Sequence, residues 1–206
     1  MGATLRNLFP LAWLLSLSAV AAKPVPEVTI GYCARLEELG AVRAAGFDYA
    51  ELRTSEIASL SDPDFEKLAE DLKRNGPPVP VTYLFIPAAI KLTGPAVDET
   101  QQMEYVRKAL ARVSRLGATT VVLGSGPARS FPEGFAKDVA FRQLVAFCRR
   151  IAPEARARDI VIAIEPQRPQ ESNLVNSVAE GLELVRAASD PAIQLTVDFY
   201  HVAEVK

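Results

Sequence analysis

Short apolar runs rich in β-branched residues alternate along the chain with stretches of helical periodicity. Residues 28–33 (VTIGYC), 47–52 (FDYAEL), 79–85 (VPVTYLF), 118–123 (ATTVVL), 160–164 (IVIAI) and 193–197 (IQLTV) read as six strands. Between them the apolar period lengthens to three and four. A helix over 36–45 is closed by Gly46. Asp62-Pro63 supplies an N-cap and a proline at the first helical position of a second, running to about residue 75. The third, over 99–116, places Met103, Val106, Leu110 and Val113 on one face. A fourth buries Phe141, Leu144, Val145, Cys148 and Ile151, and a fifth carries Leu174, Val178, Leu182 and Val185 on one side.

Strictly alternating strands and helices with apolar strands predict an α/β fold, a parallel sheet covered by helices. Both a doubly wound sheet and a (β/α)8 barrel satisfy that pattern. No G-x-G-x-x-G follows the first strand, where YCARLEELG stands instead. Polar residues collect at the C-terminal ends of several strands: Glu51, Gly124-Ser125, Glu165 and Asp198. That distribution is the habit of the TIM barrel, which is the fold expected here. Eight strands close such a barrel and six are present. The sequence stops eight residues after Asp198 with no sixth helix, so the expectation is a C-terminally incomplete barrel over 23–206, its first and sixth strands left as apolar edges.

The chain has 206 residues, 49% of them hydrophobic, and a net charge of −2, which suits one soluble domain with a substantial core. No basic run appears, and this lowers the weight of nucleic-acid binding. Arg6, the apolar run LFPLAWLLSLSAV and the small residues up to Ala22 outline a signal peptide over 1–22. The run is too short to span a bilayer comfortably. An exported protein, periplasmic or secreted and free of the membrane after cleavage, is expected. Cys33 lies on the first strand and Cys148 on a helix, in different layers, and both read as small core hydrophobes rather than a disulfide.

Two apolar strands end directly in carboxylates, where charge is expensive unless compensated. Glu165 follows IVIAI, and Asp198 follows IQLTV with His201, the sole histidine, three residues on. Adjacent strands open these acids onto one mouth, and a divalent cation between them would relieve their repulsion. Hard oxygen ligands favour Mg2+ or Mn2+. The bland alternatives are a helix cap or an Arg168 ion pair for Glu165, and an N-cap for Asp198. His201 could coordinate, donate to a substrate oxygen or satisfy a loop carbonyl. Glu51 lines the mouth or pairs with Arg53. The glycines of GSG either let backbone amides approach a ligand or turn a loop. Arg129 and Lys91 are either anion contacts or, as is commoner, solvated loop charges.

The segment AIEPQRPQESNLVNSVAEGLELV followed by VDFYH resembles the xylose isomerase-like barrel superfamily, in its sugar phosphate isomerase/epimerase branch, which includes ketose 3-epimerases and hydroxypyruvate isomerases. E-P-x-x-x-x-E after the fifth strand and D-x-x-H after the sixth carry the resemblance, with the loops FIPAAIKLTGP and GSGPARSFPEGF in support. It implies that Glu165 binds metal and acts as acid/base, that Asp198 binds metal, and that Glu171 and His201 contact substrate oxygens. It further implies a divalent cofactor (Mn2+ or Mg2+, with Co2+ as a further alternative) and a small sugar or sugar phosphate as substrate. A homo-oligomer is also compatible with it. The family completes its metal site with a histidine and a glutamate from strands seven and eight, which this sequence lacks. The implied reaction moves a carbon-bound proton beside a carbonyl through an enediolate.

Three other readings stay open at this level. One is a non-catalytic exported sugar-binding barrel, and another is a polyol dehydratase sharing the enolisation step. An abasic-site endonuclease shares the fold but needs several metals and more histidines than one.

Overall fold

The computed structural model describes residues 28–204; the segment expected to be a signal peptide lies outside the described residues. The elements follow the alternation in order. They are β1 (Gly31–Ala34), a 3-10 turn and α1 (Leu39–Ala44), β2 (Tyr49–Arg53), α2 (Thr54–Ser59), α3 (Asp62–Asn75) and β3 (Val81–Tyr83). Next come α4 (Glu99–Arg115), β4 (Thr120–Leu123), α5 (Gly126–Arg129), α6 (Lys137–Arg156), β5 (Val161–Ile164), α7 (Val178–Ala188), β6 (Ile193–Leu195) and α8 (Phe199–Glu204). All six strands are parallel in the order β1-β2-β3-β4-β5-β6, so each crossover returns to the neighbouring position, as in a TIM barrel. Among the described residues β1 pairs only with β2, and β6 only with β5.

Register explains the composition of the strands. Cys33 lies opposite Glu51, Glu51 opposite Val81, and Ile164 opposite Leu195. Ala50, Leu52, Val121, Leu123, Ile162 and Ile164 turn outward and are buried under the helices. Tyr49, Glu51, Val81, Tyr83, Thr120 and Val122 turn inward onto a cavity. On the helix side, α4 contributes Val106, Ala109, Leu110 and Val113, all fully buried. Each large aliphatic side chain removed from water there stabilises the fold by about 1.5–3 kcal/mol. Arg112, on the same helix, is 6% exposed. It donates to the carbonyls of Ile57, Ala58 and Leu60 and pairs with Asp62 at 2.6 Å, which satisfies the C-terminal carbonyls of α2.

The strands are shorter than the apolar runs suggest. Val28 and Ile30 are 81% and 61% exposed and precede the ladder. Ser61, not Asp62, caps α3, its Oγ accepting from Asp64 N at 3.2 Å. Leu174 is fully buried but precedes α7, which opens behind Ser177. Phe141 is only half-buried, and Val178 and Leu182 are exposed. A short helix, α8, follows β6 where none was expected. Cys148 is a buried core residue, its thiol pushed up to about 12 by burial. Cys33 corrects the sequence reading: it is exposed, because the inner face of β1 borders the cavity instead of a core. Both thiols are free.

Candidate active site at the strand ends

A cavity of about 610 Å3 runs along the inner face of the sheet, from Tyr49, Val81 and Thr120 at the strand starts to Glu165, Asp198 and His201 beyond the strand ends. Glu51, Gln167 and Glu171 also line it.

Glu165 leaves β5 immediately before Pro166, whose missing N–H ends the ladder. Its amide donates to Leu123 O at 3.2 Å and its carbonyl accepts from Arg129 Nη1 at 2.8 Å, so the backbone is held on both sides. Its Oε2 accepts from Gln167 Nε2 at 3.3 Å. Gly124 makes this placement feasible: a Cβ there would overlap Glu165 Oε2 and Gln167 Nε2. A Cβ at Gly126 would overlap the carbonyl of Glu171 and Gln167 Oε1. The two glycines therefore provide room for neighbouring side chains and backbone, a third use beyond ligand approach and turning. Burial raises the Glu165 carboxyl, as does Asp198, while His201, Gln167 and Arg129 oppose the shift.

Arg129 is 0% exposed, which overturns its reading as a solvated loop charge. Besides the Glu165 carbonyl, its guanidinium contacts Ser172 Oγ at 3.2 Å. Gln167 Oε1 and the carbonyls of Leu123 and Val175 lie at 3.4 Å. Burial pushes it down to about 10, against the opposing pull of Glu165. Lys91 is half-buried and donates to the Pro127 carbonyl at 3.0 Å in an exposed hydrogen bond.

Asp198 is half-buried and caps α8, its Oδ1 accepting from Tyr200 N at 2.7 Å. The capping alternative is therefore realised, yet a carboxylate has about four acceptor positions and one amide leaves most of them free. His201 sits in α8 at 7% exposure. Its Nδ1 is buried without a partner among the described residues, and its Nε2 lies 3.9 Å from Glu171 Oε2. Glu165, Asp198 and His201 bring one donor atom each to within 4.8 Å of one another, two oxygens and an imidazole nitrogen. Arg168 turns away from Glu165 and pairs with Glu171 at 2.8 Å, its guanidinium 5.0 Å from the centre of the Tyr200 ring. Glu171 thus borders the cavity but stands outside the three-donor cluster. Glu51 faces the cavity with Cys33 Sγ at 3.5 Å, and Arg53 pairs with Tyr83 Oη at 3.1 Å instead. Gln167 and Arg129 are the site-building residues that side-chain patterning missed.

No curated protein matches the chain. A crystal structure of D-psicose 3-epimerase in the presence of D-fructose superposes with a TM-score of 0.73 at 18% identity, covering 86% of this chain and 66% of that one. L-ribulose 3-epimerase gives 0.72 at 20% identity, covering 87% and 63%. A family 2 AP endonuclease from Brucella melitensis gives 0.67 at 17% identity, covering 84% and 70%. The chain spans about two thirds of the length of these structures, and at such identities the likeness establishes the fold. The model of the family described as xylose isomerase-like TIM barrel matches residues 39–205, most of the described chain. With six parallel strands in barrel order beneath that match, the chain belongs to the xylose isomerase-like TIM barrel family.

Proposed function

We propose that the cavity at the strand ends is the site of a metal-dependent sugar isomerase or epimerase. The observation that carries this reading is the convergence of Glu165, Asp198 and His201 within 4.8 Å, with the buried His201 Nδ1 left without a partner. Two carboxylate oxygens and an imidazole suit a divalent ion such as Mn2+, and the three residues fit its requirement for neighbouring anionic and neutral donors. When bound, such an ion would polarise a substrate carbonyl and its neighbouring hydroxyl, which lowers the cost of removing the adjacent carbon-bound proton. Glu165 takes that proton. Its backbone is held by Arg129 and Leu123, and its side chain is steadied by Gln167, so the base is oriented before substrate arrives. Burial raises its carboxyl, and a bound cation would act in the opposite direction, so the cation's effect on the substrate would supply most of the acceleration. Glu171, already oriented by Arg168, accepts from a sugar hydroxyl at the cavity edge. A sugar is the proposed substrate because the ketose 3-epimerases share this fold. Export of the mature chain belongs to the same proposal.

The test is metal uptake and turnover together. The chain should bind Mn2+ in a calorimeter with a stoichiometry of one and interconvert ketose epimers, followed by chromatography. Glu165→Gln and Asp198→Asn should abolish both. A folded wild-type chain that takes up no Mn2+ and leaves the sugars unchanged overturns the proposal. Sugar binding that survives both substitutions would instead favour a non-catalytic binding barrel.

A further inference from the structure

Gln167 reaches Glu165 from a slot that two glycines open. It is 6% exposed. A Cβ on Gly124 would overlap its Nε2, and a Cβ on Gly126 its Oε1, so each end of the amide lies against a residue without a side chain. The backbone is pinned as well. Gln167 N donates to Val175 O at 3.1 Å, and Asn176 Nδ2 donates to Gln167 O at 2.8 Å.

Arg129 fixes which way round the amide lies. A guanidinium only donates, so the end that meets Arg129 Nη2 at 3.4 Å is the carbonyl oxygen. The NH2 end is thereby turned to Glu165, whose Oε2 accepts from Nε2 at 3.3 Å. The reversed amide would set N–H against guanidinium and oxygen against carboxylate, and both contacts would be lost. Donation therefore runs one way, from Arg129 through Gln167 to a single oxygen of Glu165. That oxygen faces away from the other donors of the cluster. Oε2 lies over Gly124, directly after β4, whereas Asp198 and His201 follow β6, the neighbour of β5 on its other side. We propose that Gln167 is a positioning residue that divides the two oxygens of Glu165: its amide holds Oε2 on the β4 side and leaves Oε1 as the one oxygen offered to a cation beside Asp198 and His201. Gln167 acts only through Glu165, which then meets the ion without reorienting.

This inference rests on the cation site of the proposed reading, and the experiment separates the two. The full chain, carrying glutamate labelled with carbon-13, is compared with and without Mn2+ by infrared difference spectroscopy. Bands that move with the label come from glutamate, and Glu165 is the glutamate of the three-donor cluster. A carboxylate bound through one oxygen separates its two C–O stretches widely, and one bound through both narrows the gap. Wild type should show the wide separation. Gln167→Met keeps the length and removes the amide. The separation should then narrow as Oε2 is released, and Mn2+ affinity in calorimetry should fall about tenfold, because the ion must now order the carboxylate. Gln167→Asn leaves the amide one carbon short of Glu165, should behave as Gln167→Met does, and decides the matter if Gln167→Met does not fold. A merely space-filling Gln167 would lower the urea midpoint of the metal-free chain and leave the infrared separation unchanged. An unchanged separation overturns the inference whatever the affinity does, and so does a narrow separation in wild type. A wild type that binds Mn2+ with the wide separation but converts no ketose overturns the epimerase reading alone. One that takes up no Mn2+ overturns both.

Discussion

Replacing Arg129 by lysine tests whether a buried guanidinium builds the site. The substitution keeps the charge and most of the stem volume, and so isolates the fork geometry. Arg129 contacts five acceptors: the carbonyls of Leu123, Glu165 and Val175, Ser172 Oγ and Gln167 Oε1. Leu123 O, Val175 O and Ser172 Oγ keep backbone donors from Glu165, Gln167 and Leu174, so the acceptors at risk are the Glu165 carbonyl and Gln167 Oε1, which a lysine with three donors on one atom reaches less well than a planar fork. An unsatisfied buried acceptor costs about 1–3 kcal/mol, and three of these contacts are long at 3.4 Å, which argues for the lower end. The expected loss is about 1–3 kcal/mol, that of one unsatisfied buried acceptor, read as a fall in the urea midpoint with the slope unchanged. Mn2+ affinity should fall in parallel, because the Glu165 carbonyl is the best of the five contacts at 2.8 Å. A midpoint within about 0.5 kcal/mol of wild type would refute the reasoning. It would mean that the two loops flanking Arg129 hold the Glu165 backbone without it.

Two further outcomes follow from the same geometry. Gly124→Ala puts a Cβ onto Glu165 Oε2 and Gln167 Nε2, so the carboxylate must move; Mn2+ affinity should drop at least about tenfold in calorimetry while circular dichroism stays unchanged, and unaltered affinity would count against the placement of Glu165. Partial burial of the sulfur, then the Glu51, Asp198 and Glu165 carboxylates, push the Cys33 thiol up to about 11 from 9.0. Its alkylation by iodoacetamide at pH 8 should therefore run roughly 100-fold slower than that of an ordinary thiol and accelerate up to about pH 11; rapid labelling at pH 8 would contradict the environment assigned to it.

The fold was legible because its signals are local. Apolar runs of strand length, Gly46 after the first helix and the face of Val106, Leu110 and Val113 each report on their own element, and the alternation fixes the rest. The acids at strand ends were legible for the same reason, since a charge directly after an apolar run such as IVIAI or IQLTV stands out in the sequence, although Asp198 also has a local task as a helix cap. Arg129 was not. Its partners include three backbone carbonyls, one at the end of β4 and two from the segment between β5 and α7, and a carbonyl leaves no mark on residue type. Gln167 was equally hidden, since its task is to fill the space that Gly124 and Gly126 vacate. Cys33 misled because VTIGYC looks apolar on both faces, whereas one face of an incompletely enclosed sheet borders the cavity.

The two inward-facing glutamates show how one cavity can hold carboxyl groups of different character. Both are half-buried and both are raised by burial. Glu165, however, lies above a buried guanidinium and beside Gln167 and His201, all of which favour its charged form. Glu51 has the weak thiol donor of Cys33 and the unfavourable charge of Asp198. The two carboxyls are thus raised alike by burial and differ in what opposes it: a guanidinium, an amide and an imidazole at Glu165, a thiol at Glu51. The difference originates in sequence: the loop after β4 folds Arg129 back under β5, while β2 spends its own arginine, Arg53, on Tyr83. Moving that arginine onto Glu51 would oppose the rise that burial imposes there, as Arg129 does at Glu165, and would make the two walls alike.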